Sequence, residues 1–248
     1  MQLILRLVIL AVMAFSCSAL ADTQSSDDMS PWFTGPLLAP SGTTFPKGQI
    51  GFQPYVFYTD DYGVYNHLWK RENTRDTHTV NPEMAIFVGL TDSTELQFTL
   101  PYFVNTRNGQ SSRGFGDFGI QFGYQVLREK AHTWIPDIKL TLAETFPTGR
   151  FENLSPSLNG TDAFGSGSYQ TSVGLTFQKM VHFSGQHYLR GRWNFTYTMP
   201  TKVYVHGLNA YGGVANTDGI WNLGNHFSTD LAFEYTITRH WVPAIDFL

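Results

Sequence analysis

The sequence predicts an all-β protein and, more narrowly, an antiparallel transmembrane β-barrel of the bacterial outer membrane. Three observations predict it: alternating segments of about ten residues, connections of unequal length, and aromatic residues near the predicted strand ends. Residues 188–198 alternate most clearly, with Leu, Gly, Trp, Phe and Tyr at odd positions and polar residues at even positions from Arg190 onward. Because successive strand residues point to opposite faces, this segment has one apolar face and one polar face.

The N-terminus carries the pattern of a secretory signal peptide, which we assign to residues 1–21. A basic start precedes an apolar run at 7–15 that is too short to cross a bilayer as a helix. Ala19-Leu20-Ala21 matches an A-x-A cleavage site, so we expect cleavage before Asp22. A lipidated Cys17 is an alternative; Cys17 is the only cysteine and would leave with a cleaved signal peptide.

Residues 22–47 are expected to form an extended lead-in, since the prolines and glycines after residue 30 disfavour a helix. The barrel domain is assigned to 48–248. The alternation predicts nine strands, at 48–58, 82–90, 94–103, 115–127, 134–146, 165–181, 187–198, 226–237 and 241–248.

The connections between these strands alternate in length. Short turns are expected at 91–93, 128–133, 182–186 and 238–240, and long loops at 59–81, 104–114, 147–164 and 199–225. Outer-membrane barrels have short periplasmic turns and long extracellular loops. Aromatic residues near both sets of ends favour two interfacial girdles.

The polar strand faces hold many charged and amide side chains, which would be costly in a dry core unless they were paired. We expect them to line a wet lumen, and the candidates are Glu95, Gln97, Asp117, Gln121, Asp137, Lys139, Gln170, Arg190, Arg192, Asp230 and Glu234. Two interpretations are open: opposed charges that filter solutes, or cross-strand pairs that fill a small barrel. A soluble sandwich is a third, but it predicts shorter strands, of about 5–6 residues.

Composition excludes some partners and activities. A net charge of −4 without a basic cluster argues against nucleic acid. The segment 114–119 matches G-x-G-x-x-G but lacks the preceding strand and following helix of a dinucleotide site. There is no G-x-S-x-G element, and the histidines are scattered. We therefore expect no enzyme, cofactor or metal site; the expected partners are outer-membrane lipid, lipopolysaccharide and a small-molecule solute.

Three short motifs resemble a known family. Gly114-Phe115-Gly116-Asp117 opens a strand, Gly123-Tyr124-Gln125-Val126-Leu127 follows, and Phe146-Pro147-Thr148-Gly149 ends the next strand. Together with the lead-in at 34–42, they are similar to the outer-membrane transporter family named after the meta pathway of phenol degradation. The resemblance implies a β-barrel that passes small organic, including aromatic, compounds, and it implies no catalytic residues.

Two functions are consistent with these patterns. The first is an outer-membrane channel for passive passage of small organic solutes; the alternative is a structural or adhesive barrel acting through its long loops. A soluble exported β-protein that binds a ligand is the third possibility.

The strand count is odd, whereas single-chain bacterial barrels have even numbers of strands. Phe247 is also penultimate, although such barrels generally end on an aromatic residue. We expect either a chain truncated from a 10- or 12-stranded parent, which would assemble poorly alone, or a count that is off by one.

Overall fold

The computed structural model describes residues 3–8, 33, 35–130, 133–238 and 240–248, with the backbone alone for 3–8 and 74–76. Residues 9–32 lie outside the described residues, and with them the predicted cleavage site and the start of the lead-in. The described chain is all-β and antiparallel, with one short 3-10 helix at Pro156–Leu158. The strands are β1 (Leu3–Val8), β2 (Ile50–Tyr65), β3 (Arg71–Thr91), β4 (Thr94–Arg107), β5 (Gln110–Phe115), β6 (Phe118–Leu127), β7 (Asp137–Phe146), β8 (Gln170–Ser184), β9 (His187–Pro200), β10 (Val203–His206), β11 (Asp218–Trp221), β12 (His226–Tyr235) and β13 (Ala244–Phe247).

One large sheet dominates the fold, with strand order β1-β2-β3-β4-β6-β7-β8-β9-β12-β13 and β5 paired to β4. The nine strands predicted from the alternation are all present as antiparallel neighbours: β2, β3, β4, β6, β7, β8, β9, β12 and β13. Among the described residues, no hydrogen-bonded pair joins β2 to β13, so the sheet is open. A second, two-stranded sheet pairs β10 with β11.

Two of the predicted long loops are wrong, because the strands continue through them. β2 and β3 stay paired up to Tyr65 and Arg71, which leaves a turn at 66–70 in place of a loop at 59–81. These extensions are rich in threonine but polar on both faces. They therefore keep β propensity while losing the apolar period on which the prediction depended.

The predicted loop at 104–114 is likewise a hairpin between β4 and β5. Its two central residues, Asn108 and Gly109, have φ values of 50° and 75°. Positive φ at both positions matches the twist of paired strands, and Asn-Gly is the preferred pair there. The predicted loop at 199–225 contains the β10–β11 hairpin.

The two faces of the large sheet have opposite burial. The inner face, which carries Glu95 and Glu234 at 2% and 1% exposure, is polar and buried. The outer face carries apolar side chains in the open, including Phe122 at 40% and Trp193 at 49%. Among the described residues, the buried apolar ones are few: Ala39, Ala85, Leu154, Val203, Val205 and Ala232. Soluble proteins distribute these residue types in the reverse way.

The described residues contain no helix with the length and hydropathy required to span a membrane.

Candidate functional site: the inner face of the sheet

A segment without helix or strand, residues 35–49, crosses the inner face of the sheet; we call it the strap. Its successive partners show the direction: Leu37 contacts Asp246 on β13, Gly42 contacts Gln178 on β8, and Phe45 contacts Glu95 on β4. At its end, the Gly48 amide donates to the Gly89 carbonyl on β3, 2.8 Å away. The strap therefore passes under most of the sheet, near the ends of the strands joined by short turns.

Side chains of the sheet accept hydrogen bonds from the strap's backbone. An extended chain without a neighbouring strand has unpaired amides and carbonyls, which need partners when they are buried. The donor–acceptor distances are Gly35 to Glu234 Oε1 (3.1 Å), Leu37 and Ala39 to the two oxygens of Asp246 (2.9 and 3.2 Å), Gly42 to Gln178 Oε1 (3.2 Å), Thr44 to Gln125 Oε1 (2.8 Å) and Phe45 to Glu95 Oε2 (2.6 Å).

Cationic and amide side chains donate to the strap's carbonyl groups. Arg192 Nη1 lies 3.1 Å from the Ala39 oxygen, and Lys139 Nζ lies 3.3 Å from the Thr43 oxygen. Gln125 serves both sides, because its Nε2 also donates to the Gly42 oxygen at 3.0 Å. The inner face thus supplies the strap with the pairing that a further strand would otherwise provide.

Glycines allow the strap to lie this close. A Cβ on Gly89 would lie 1.9 Å from the Pro46 carbonyl oxygen, and one on Gly42 would lie 2.4 Å from Gln178 Cβ. On β2, a Cβ at Gly51 would lie 2.5 Å from the Phe45 ring. Contacts this short are not possible for real Cβ atoms, so the packing requires glycine at these positions.

The charged groups beside the strap also pair with one another. Lys139 Nζ lies 2.8 Å from Glu95 Oε1, across the β6 residue Gly123, which has no side chain to obstruct the contact. Arg190 binds both oxygens of Glu234, at 2.6 and 2.8 Å, and its guanidinium lies 4.1 Å from the centre of the Phe33 ring. These bonds satisfy charges that would otherwise be costly to bury.

Two further predicted residues lie near this network. Asp137 accepts the Glu129 amide at 2.9 Å and lies 3.4 Å from Gln178 Nε2. Asp230 is 4% exposed, and no hydrogen bond reaches its Oδ1 from the described residues.

A cavity of about 640 Å³ lies on the inner face, lined by strand residues and by the loops at 147–169 and 201–225. Gln97 and Gln121 line it and are hydrogen-bonded to each other at 3.3 Å. The lining residues are Glu83, Gln97, Thr99, Pro101, Phe103, Asp117, Gly119, Ile120, Gln121, Ala143, Glu144, Thr145, Ala163, Phe164, Gly165, Ser166, Ala210, Tyr211 and Leu223. The cavity therefore combines amide, hydroxyl and carboxylate groups with aromatic and aliphatic walls.

Asp117 fixes the loop that covers the cavity, rather than pointing freely into it. Its carboxylate accepts the Gly149 amide at 2.9 Å and the Ser166 amide and hydroxyl at 2.7 and 2.8 Å. Ser166 Oγ also accepts Gln170 Nε2 at 3.1 Å. The Asp117 carboxylate thus holds both ends of this loop, at Gly149 and Ser166, beside the start of β6.

The second long loop packs on the first. The Tyr211 hydroxyl donates to the Ser166 carbonyl, and the Tyr211 ring stacks on Trp221 with centroids 5.2 Å apart. Burial, followed by the nearby Asp117 carboxylate, raises the pKa of Tyr211, which keeps the donating proton in place.

Several participating residues were not predicted from the sequence, Asp246 and Glu83 among them. Asp246, which holds two strap amides, lies in the last strand, where the alternation is too short to assign a face. Glu83 lies beside Pro82 at the edge of a predicted strand. It is the only carboxylate within 82–90, and this isolated charge in an apolar strand is the feature that could have identified it.

The sequence matches no protein-family model and no curated relative. Within the part of the chain that the structure describes, no group of three or more His, Cys, Asp or Glu side chains is placed to hold a metal ion.

Proposed function

We propose that the protein is an outer-membrane β-barrel that passes small organic molecules, with the cavity as the solute's binding site and the strap closing the path beneath it. The observation that carries this proposal is the inverted burial of the two sheet faces. Exposed apolar surface this extensive needs an apolar surrounding, and a bilayer supplies one.

The aromatic side chains of the outer face have contacts that are consistent with a lipid environment. Phe195 packs against Trp193 and Phe227, with ring centroids 4.6 and 6.2 Å apart. The indole nitrogen of Trp193 donates to Thr229 Oγ1 at 3.0 Å, so this polar atom is satisfied without water. At the short-turn end, Trp134 and Trp241 are open to the surroundings at 92% and 73% exposure, as interfacial aromatic residues are in barrels.

The inner face supports selective rather than free passage. The strap occupies the end with short turns, and the loops at 147–169 and 201–225 cover the other end. A solute that enters the cavity must therefore displace part of the strap to continue. The family resemblance drawn from the sequence, to transporters of small organic compounds, agrees with a path of this kind.

The test is solute flux through reconstituted protein. We expect liposomes that contain the folded protein to swell in isotonic arabinose faster than liposomes that contain the same amount of heat-denatured protein. Flux indistinguishable from that control would contradict the channel.

That negative outcome would favour the second candidate, a structural or adhesive barrel. Its specific support is the β10–β11 hairpin, where Tyr204 pairs with Ile220 on a face exposed at 68% and 57%. The opposite face of the hairpin is buried through Val203 and Val205. An exposed apolar pair on a well-packed hairpin is the kind of feature through which a surface loop binds another protein.

A further inference from the structure

We propose that the cavity binds small organic cations: an ammonium group that carries an apolar substituent. This names the solute class of the site proposed above and rests on that proposed function only for the route by which the solute reaches the cavity.

Charge is the first argument. Three carboxylates line the cavity, those of Glu83, Asp117 and Glu144, and among the described lining residues none is Lys, Arg or His. A cavity with one sign of charge and low-dielectric walls concentrates ions of the opposite sign.

The three carboxylates differ in the hydrogen bonds that they accept. Asp117 is occupied by the loop, and Glu144 Oε2 accepts Thr171 Oγ1 at 2.7 Å. Glu83 receives no hydrogen bond or ion pair from the described residues, although it lies on β3 between Tyr55 of β2 and Pro101 of β4. Of the three, Glu83 is therefore the carboxylate with both oxygens available to a bound cation.

The walls are the second, independent argument. Phe103, Phe164 and Tyr211 present aromatic rings to the same cavity, and Ile120 and Leu223 add aliphatic surface. The faces of aromatic rings attract ammonium groups, most strongly where water is displaced. A carboxylate with aromatic walls suits an ammonium bearing an apolar group better than it suits an inorganic cation, which would require several oxygen ligands.

Size agrees with this class. Binding pockets for small molecules typically enclose about 300–1,000 Å³, and this cavity has about 640 Å³. A single-ring ammonium compound fits with room for water around the amide groups of Gln97 and Gln121.

The experiment measures binding to the whole chain in detergent micelles by isothermal titration calorimetry, so no membrane transport is needed. The probes are benzyltrimethylammonium, the neutral phenylacetamide and the anionic phenylmethanesulfonate, whose charges do not change with pH near neutrality. We expect the cation to bind about tenfold more tightly than the neutral probe, and the anion more weakly than both.

Two charge-matched variants separate the site from general electrostatics. Glu83→Gln should remove the preference for the cation, whereas Glu72→Gln, at the exposed start of β3, should keep it. Equal binding of the three probes to the unmodified protein, or undiminished cation binding by folded Glu83→Gln, would overturn the proposal. Because binding is measured without vesicles, a channel that fails in the flux assay leaves this result intact, and the reverse also holds.

Discussion

Charged residues on the inner face of this sheet are held by protein groups. Glu95 is the clearest case, with one oxygen on Lys139 and the other on the amide of Phe45 in the strap. Glu95 tolerates burial because both of its oxygens accept a hydrogen bond. The role of these charged residues is to seat the strap as well as to join neighbouring strands.

The alternation of β9 side chains between the outer and inner faces of the sheet leads to a testable prediction. Phe195→Arg should block membrane assembly, because its side chain lies in the aromatic cluster of the outer face, where a cation in lipid costs about 2–4 kcal/mol. Thr196→Arg, one residue later, should assemble, because its side chain lies on the inner face beside Gly174. Heat-modifiable migration of the unboiled protein is the measurement, and equal assembly of the two variants would refute the assigned faces.

The sequence was sufficient to predict which residues share a face, since that depends only on the period of two along each strand. It was not sufficient to predict their partners. Glu234 and Arg190 are opposite each other on β12 and β9, a pairing that requires the register of two strands remote in sequence. The contacts of the strap are even harder to predict from the sequence. A segment without an alternating pattern contains no information about which strands it packs against.

At the level of elements, the strap is the feature that most changes the interpretation of the fold. The lead-in was expected to be extended; residues 35–49 form neither helix nor strand and include bends at 37–39 and 42–43 and a turn at 47–48. The passage of the strap across β13, β8, β6, β4 and β3 explains why the inner face is most heavily charged near the short turns. Further along the strands, the inner face carries hydroxyl and amide groups that face the cavity, among them Thr99 and Gln121.

Displacing the strap should open the path. Gly89→Ala places a Cβ where the Pro46 carbonyl oxygen now lies, and overpacking of this kind typically costs about 1–3 kcal/mol. Because the clash is with the Pro46 backbone and not with a flexible side chain, we expect the strap to move away from the inner face. Arabinose flux through liposomes should rise, and the strap should become sensitive to protease.

The matched control is Gly219→Ala on β11, where an added Cβ meets no atom within 4 Å. This variant should keep the original flux and protease resistance. Unchanged flux in folded Gly89→Ala would mean that the strap does not close the path.

For the whole molecule, the decisive property is the open sheet. Unpaired backbone groups at an edge cost several kcal/mol each in hydrocarbon, so a membrane-inserted form must cover the edge of β2 over 50–58, which β1 does not reach, and the outer edge of β13. From β2 to β13 the sheet has nine strands that alternate in direction, so β2 and β13 run the same way. Direct closure therefore requires a parallel β2–β13 pair.

Direct closure can be tested by crosslinking. Phe52 on β2 and Ile245 on β13 are exposed outer-face positions, and Cys17 is the only native cysteine. In a Cys17→Ser background, we expect Phe52→Cys with Ile245→Cys to be joined by a short bismaleimide within one chain in liposomes, whereas Phe52→Cys with Phe122→Cys, on β6, should not be. If the first pair remains unlinked in protein that migrates as a folded barrel, β2 and β13 do not meet, and another copy of the chain or another segment must cover their edges; crosslinks between chains would identify the former.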